Sequence, residues 1–247
     1  MKLQQLYSYV RKAIDDYHMI APGDHIAIGI SGGKDSLTLL YALSGLRRFY
    51  PNSFQLSAIT VDLGFGIQDL DKIEQLCKTM QVPYHIVKTD ISEIIFDARK
   101  ESNPCSLCAK MRKGALNEKA KELGCNKIAY AHHREDMIET MLLSLIYEGR
   151  FHCFSPYTYL DRMQLSVIRP LIYVSEGEVI SFQKANQLPV AKGKCPADGY
   201  TKRQYAKELL QQLNKENPGC KDRMFSAIVN GNNNPGWPQK YKKGEFQ

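Results

Sequence analysis

Six consecutive residues, Ser31-Gly32-Gly33-Lys34-Asp35-Ser36, combine what a phosphate-binding loop needs. Two glycines let successive backbone N–H groups converge on one concavity, and a helix starting there adds partial positive charge to those donors. Lys34 can neutralise phosphate charge, Ser31 and Ser36 can donate hydroxyl hydrogen bonds, and Asp35 can hold a magnesium ion carried in by the nucleotide. The hexapeptide has neither the Walker spacing G-x-x-x-x-G-K-S/T nor the dinucleotide fingerprint G-x-G-x-x-G, so hydrolysis at a γ-phosphate is not its first reading. Two isolated glycines would more often be an ordinary turn. Their place directly after an apolar run reverses that judgement, because ligands of open α/β sheets bind where strands end and helices begin.

A second set of reactive residues is Cys105 and Cys108, a C-x-x-C placed before a basic helical stretch with Lys110, Arg112 and Lys113, followed far downstream by Cys195-Pro196. Spacing alone leaves open a redox pair, half of a structural zinc site, or three converging thiolates. Cys77, Cys125, Cys153 and Cys220 read as small apolar packing residues. A disulfide framework is the poorer reading of seven cysteines without an export signal. Asp62, at the end of an apolar run, suits an adenosine or magnesium contact, or simply a turn cap. In Ala131-His132-His133-Arg134-Glu135-Asp136 the histidines either meet nucleotide or cap the next helix, and Asp136 is the stronger site candidate.

The elements around these residues alternate. Periodicity predicts a helix over 3–17, a strand over 25–30, and a helix over 35–46 after the glycine turn. Strands follow over 54–62, 84–87, 127–131 and 166–169, with helices over 69–80, 135–147, 176–185 and 202–213. Strands alternating with helices imply an α/β fold with a doubly wound, mostly parallel sheet. The organisation expected is an N-terminal helix over 1–22, a nucleotide-binding catalytic domain over 23–200, and a C-terminal helical segment with a loose tail over 201–247. That tail is placed from the Asn/Gly/Pro-rich run that begins at Asn230.

Composition sets the outer bounds. The 247 residues, 43% hydrophobic and 24% charged, suffice for a large core and exclude a disordered chain. No apolar stretch suits a membrane span or a secretory leader, so no membrane partner and a cytoplasmic location are expected. A formal net charge of +7 favours a polyanionic partner without naming one. Lys110, Arg112 and Lys113, with Arg150 and Arg169 elsewhere, are the residues expected to engage RNA phosphates.

Ser31 to Ser36 resembles the S-G-G-x-D-S signature of the PP-loop ATP pyrophosphatases, which cleave ATP between the α and β phosphates to adenylate a substrate. That family includes tRNA thiolases, lysidine synthetases and GMP synthetase. Four further stretches resemble the tRNA 2-thiocytidine synthetase (TtcA) family: Pro104-Cys105-Ser106-Leu107-Cys108, Arg112-Lys113-Gly114, Ala131 to Asp136, and Ile168-Arg169-Pro170-Leu171. The order also matches, from the first strand to Met224-Phe225-Ser226-Ala227. Ala131 and Glu135 depart from the Gly and Asp common at those places, and Cys195-Pro196-Ala197-Asp198 replaces a second C-x-x-C.

The resemblance implies an adenine nucleotide alpha hydrolase-like fold with ATP and Mg²⁺ as cofactors. It further implies a 4Fe-4S cluster on Cys105, Cys108 and Cys195, leaving one iron free for exogenous sulfide. It assigns catalytic roles to Lys34, Asp35 and Asp136, and ATP contacts to Ser31, Gly32, Gly33, Lys34, Asp35, Ser36, Asp62, Ala131 and His132. The substrate implied is tRNA, at cytidine 32 of the anticodon loop. The implied partners are a sulfur donor, either a cysteine desulfurase or free sulfide, and a second copy in a homodimer. Rival readings are lysidine synthesis, thiolation of another substrate, and a non-enzymatic nucleotide- or RNA-binding protein with structural zinc.

Overall fold

The computed structural model describes residues 1–64, 70–98, 104–191 and 202–230. Six strands form one sheet in the order β3-β2-β1-β4-β6-β5. These are β1 (Asp24–Gly29), β2 (Phe54–Asp62), β3 (Tyr84–Lys88), β4 (Lys127–Ala129), β5 (Tyr157–Leu160) and β6 (Leu165–Ile168). All pair in parallel except β5, which runs antiparallel to β6 at the edge. The chain order reverses at β1, whose neighbours are β2 on one side and β4 on the other. A crevice therefore opens beyond the carboxyl ends of β1 and β4, where ligands of such sheets bind.

Both faces of the sheet are covered, which is why its strands read as continuous apolar runs. Ile26 and Ile28 of β1 and Leu56 and Ala58 of β2 pack into one cluster with α1 (Leu3–Asp16), α2 (Lys34–Leu46) and α6 (Glu176–Ala185). Ala27, Ile59, Val61 and Ile128 point to the other face, under Leu116 and Ala120 of α4 (Pro104–Glu122). In α1 the buried residues Leu6, Val10, Ala13 and Ile14 lie on one helical stripe. At the amino ends of the strands, Lys127 Nζ pairs with Asp24 Oδ2 at 2.7 Å and donates to the Met19 carbonyl at 2.9 Å. This buried pair ties β4 to β1 at the end opposite the crevice.

The expected α/β class and parallel sheet are as observed, with α3 (Leu70–Thr79) and α5 (Arg134–Glu148) completing the crossovers. Three elements depart from the sequence reading. Strand β5 was not expected; Tyr157, Thr158 and Tyr159 are strand formers whose alternation marks a half-exposed edge. A π-helical turn, Glu93–Ala98, precedes α4. The C-terminal segment is more helical than expected. Helix α7 (Lys202–Glu216) runs past residue 213, and Asn217-Pro218-Gly219 turns the chain into α8 (Cys220–Asn230). Ile228 and Val229 of α8 and Leu210 of α7 are buried in the main core. The expected tail beyond 230 lies outside the described residues.

Candidate active site

The phosphate-loop sequence stands between β1 and α2. Ile30 N–H donates to the Ile59 carbonyl at 2.8 Å, carrying sheet pairing one residue past β1. Gly32 then turns with φ +80, a left-handed conformation that side chains resist. Its carbonyl accepts from Ala191 N–H at 2.9 Å, and a Cβ there would stand 2.9 Å from the Ala191 Cβ. Ser36 Oγ closes the loop: it accepts from Ser31 N–H at 3.2 Å and donates to the Gly33 carbonyl at 2.9 Å. Gly33 is the N-cap of α2 and supplies no side-chain cap. The first N–H groups of α2 are thus left for a ligand, as an anion site requires.

Lys34 Nζ lies 3.1 Å from Asp35 Oδ2 and 3.3 Å from Glu176 Oε1. Burial works against its charge, but Asp35 and Glu176 outweigh that cost and hold the pKa above the ordinary lysine value. Glu176 opens α6, and its Oε1 also accepts from Lys207 Nζ of α7 at 2.6 Å. The Glu176 N–H donates to Glu135 Oε2 at 2.8 Å. Glu135 is buried, yet His133 and this N–H hold its carboxyl down at about 2. His133 Nδ1 is 3.5 Å from Glu135 Oε2, and Nε2 is 3.9 Å from Asp35 Oδ1 and 3.6 Å from Asp136 Oδ2. Burial opposes the imidazolium, but these three carboxylates raise its pKa above the usual histidine value.

The amino ends of α2, α5 and α6 therefore meet around one charged cluster. Asp136 Oδ2 accepts from His133 N–H at 2.9 Å, so Asp136 caps α5 as well as facing His133. Asp35 Oδ1 is buried without a hydrogen-bond partner among the described residues. An orphaned carboxylate oxygen beside a phosphate loop fits a magnesium ion delivered with a nucleotide. Among the described residues no group of three donors is ready to hold a metal unaided.

Other expected residues are used differently. His132 packs against Phe154, the rings tilted by 37° with centroids 4.7 Å apart, and accepts from Arg169 Nε at 3.3 Å. Burial, then the Arg169 charge, pushes its pKa down to about 3. Ala131 is half-buried and packs on the core. Asp62 follows its turn-cap reading, accepting from Gly64 N–H at 3.0 Å. Arg169, expected to reach RNA phosphates, donates instead to the Ser155 carbonyl at 2.5 Å and lies over the Phe154 ring. Its guanidinium is committed inside the fold, and burial lowers its pKa to about 10. Arg150 pairs with Glu148 at 2.7 Å on the surface.

Cys105 is exposed and Cys108 half-buried, three residues apart near the start of α4. Residues at i and i+3 share a side of a helix, so both sulfurs fit ligation of one inorganic cluster. Cys195 lies outside the described residues. Cys77, Cys125 and Cys153 are buried, in line with a packing role. Lys110, Arg112 and Lys113 are all exposed on α4. The sequence reading missed Glu176 and Lys207. Glu176 carries a legible signal, since Ser175 and Glu178 form a capping box that fixes the start of α6. Lys207, one lysine among several on α7, carries none.

Comparison with known proteins adds an independent line. The family described as PP-loop domain matches residues 3–213. A tRNA-cytidine(32) 2-sulfurtransferase of Geobacter sulfurreducens is 38% identical over 233 residues, covering 93% of this chain and 91% of its own. The protein of the same name from Citrifermentans bemidjiense is 40% identical over 224 residues, covering 90% and 88%. Among solved structures, the U34-tRNA thiolase NcsA of Methanococcus maripaludis, determined with its 4Fe-4S cluster, is similar with a TM-score of 0.76 and 25% identity. That likeness covers 92% of this chain and 77% of NcsA. An NH3-dependent NAD synthetase of Campylobacter jejuni, at TM-score 0.52 and 14% identity over 98% of this chain and the whole of its own, shares the fold alone.

Proposed function

The chain belongs to the PP-loop family and, within it, to the tRNA-cytidine(32) 2-sulfurtransferases, and from that premise we propose that it thiolates cytidine 32 of tRNA at the expense of ATP. The observation that carries this reading is the likeness along nine-tenths of the chain, which takes in both the phosphate loop and the Cys105–Cys108 pair.

In this reading the amides of Gly32 to Asp35 and the Lys34 ammonium bind the ATP phosphates, and Asp35 takes the magnesium ion. The cytidine 2-oxo oxygen attacks the α-phosphorus, the bond between α and β phosphates breaks, and pyrophosphate leaves. Sulfide then attacks C2, and AMP departs with the former 2-oxo oxygen. Lys34 offsets negative charge gathering on the pyrophosphate, while Asp136 holds the His133 backbone at the head of α5. Cys105, Cys108 and Cys195 would hold the cluster, which when bound offers an iron without a protein ligand for exogenous sulfide. The sulfur donor is a cysteine desulfurase or free sulfide. Lys110, Arg112 and Lys113, on the cysteine-bearing helix, receive tRNA phosphates. The catalytic domain is taken as residues 23–200, preceded by the N-terminal helical segment 1–22 and followed by the C-terminal segment 201–247, whose described part, 202–230, carries α7 and α8.

Protein purified without oxygen tests this directly. About four irons and four acid-labile sulfides per chain are expected, with 2-thiocytidine forming in tRNA on addition of ATP and sulfide. Cys105→Ala and Cys195→Ala should each lose iron and thiolation together. Stoichiometric zinc without sulfide, or lysidine formation without sulfide, would overturn the reading.

A further inference from the structure

We propose that Lys207, carried by helix α7, is a second phosphate-binding cation of the nucleotide site, and that Glu176 is the counter-ion it shares with Lys34 when no nucleotide is bound. This extends the ATP reading given above and rests on it.

The argument starts from a shared atom. Glu176 Oε1 lies 3.3 Å from Lys34 Nζ and 2.6 Å from Lys207 Nζ, so the two ammonium groups can be no further apart than those two distances laid end to end. Lys34 is the lysine of the phosphate loop. Lys207 therefore stands within the space that a polyphosphate on that loop would fill, although it comes from an element distant in sequence.

Helix α7 is built to aim it there. Ala206 and Leu210 are buried, which turns that face of the helix to the core. Arg203 and Lys207, one turn apart, share a side. Lys207 reaches Glu176 at the head of α6, and Arg203 Nη1 reaches Asp136 Oδ1 at the head of α5 at 3.9 Å. Lys207 remains about one-third exposed, whereas Glu176 is 16% exposed and anchored by its own backbone N–H to Glu135. The carboxylate is the fixed partner and the lysine the adjustable one.

Charge gives the reason for a second cation. Asp35, Glu135, Asp136 and Glu176 crowd this end of the sheet, and a polyphosphate adds further negative charge. A single loop lysine, already engaged by two carboxylates, is poorly matched to that load. An ammonium has three N–H donors, and one carboxylate oxygen shared between two lysines leaves donors over for phosphate oxygens. On nucleotide binding, both lysines exchange contact with Glu176 for contact with phosphate, moving only their flexible ends.

The test measures binding of magnesium with inorganic pyrophosphate, of magnesium with ATP, and of adenosine, by titration calorimetry on the full chain. In Lys207→Ala the dissociation constants for pyrophosphate and ATP should rise about tenfold or more, which is the scale of one charge-assisted hydrogen bond. Adenosine affinity, melting temperature and iron content should stay as in the wild type, and Lys207→Arg should restore most of the pyrophosphate affinity. Unchanged pyrophosphate and ATP binding in Lys207→Ala, or an equal loss for adenosine, would overturn the assignment. A wild-type chain that binds neither pyrophosphate nor ATP would bring down the phosphate-loop reading itself and this inference with it.

Discussion

Arg169 Nε donates to His132 Nδ1 over 3.3 Å, with the Phe154 ring packed against both side chains. An imidazole that accepts at Nδ1 while facing a guanidinium is neutral and carries its proton on Nε2. Its neighbour in sequence, His133, faces Asp35, Glu135 and Asp136 instead. Two adjacent residues thus place one imidazole where the neutral form is favoured and the next where carboxylates favour the charged form.

The pKa values of these two histidines should be displaced in opposite directions from the ordinary histidine value. His132, at about 3 in the folded chain, stays neutral where the unfolded chain takes a proton at about 6.5. Its contribution to stability is therefore full above about 6.5 and falls with decreasing pH, by at most about 1.4 kcal/mol per pH unit. For His133, whose pKa is raised, the contribution is full below about 6.5 and is lost as pH rises through the folded value. Ring chemical shifts followed by NMR against pH should separate the two, and His132→Gln should flatten the acid limb of a urea-stability profile. Coincident titration of both rings at the ordinary histidine value would contradict this geometry.

Gly32→Ala should damage folding and nucleotide binding together. The residue has φ +80, and the new methyl would meet the Ala191 Cβ at 2.9 Å. Strain of about 1–3 kcal/mol is expected, seen as a melting temperature lower by several degrees. Gly33→Ala provides the comparison, since Gly33 has an ordinary φ of -76 and its new Cβ would meet only Ser31 Oγ, at 3.3 Å. Equal melting temperatures for the two variants would show that the left-handed turn is not what makes Gly32 necessary.

Lys34→Ala should separate the two halves of the chemistry. The side chain contacts Asp35 and Glu176 and is not part of the apolar core, so iron content should be retained. Pyrophosphate release dependent on tRNA should fall by about 10²-fold or more, the usual scale for losing a preorganised charge at a reacting phosphate. Full adenylation by this variant would remove Lys34 from the mechanism.

Lys127→Met should do the reverse, costing stability and sparing the site. It leaves Asp24 buried at the amino ends of β1 and β4 without its cation, for which about 3–5 kcal/mol is typical. ATP affinity of the folded fraction should match the wild type, because the pair lies across the sheet from the phosphate loop. Denaturant melts give the first quantity and calorimetry the second. A tenfold loss of ATP affinity in folded protein would show that the two ends of the sheet are coupled.

How much was legible in the sequence follows from how local each signal is. The strand before Ser31, the glycine turn and the helix after it lie in one short stretch, so their apolar run, breakers and periodicity were sufficient to place the loop. The Cys105–Cys108 spacing was visible for the same reason, and so was the parallel sheet, since covered strands must be apolar on both faces. Edge strand β5 and helix α8 carried readable signals that composition masked, tyrosines in one case and a nearby Asn/Gly run in the other.

Contacts between distant segments were not legible. No local pattern distinguishes Lys207 from other lysines on an amphipathic helix, and none says that Arg169 is spent on His132 and Ser155 instead of facing solvent. Glu176 becomes a site residue only because α6 starts beside α2, a consequence of which strand lies next to which. Sequence by itself determined the class of fold and the identity of the phosphate loop, because periodicity and turn chemistry act over a few residues. Tertiary structure alone decided which charges share that loop, because Coulomb and hydrogen-bond energies depend on distances that only the packed sheet and its helices set.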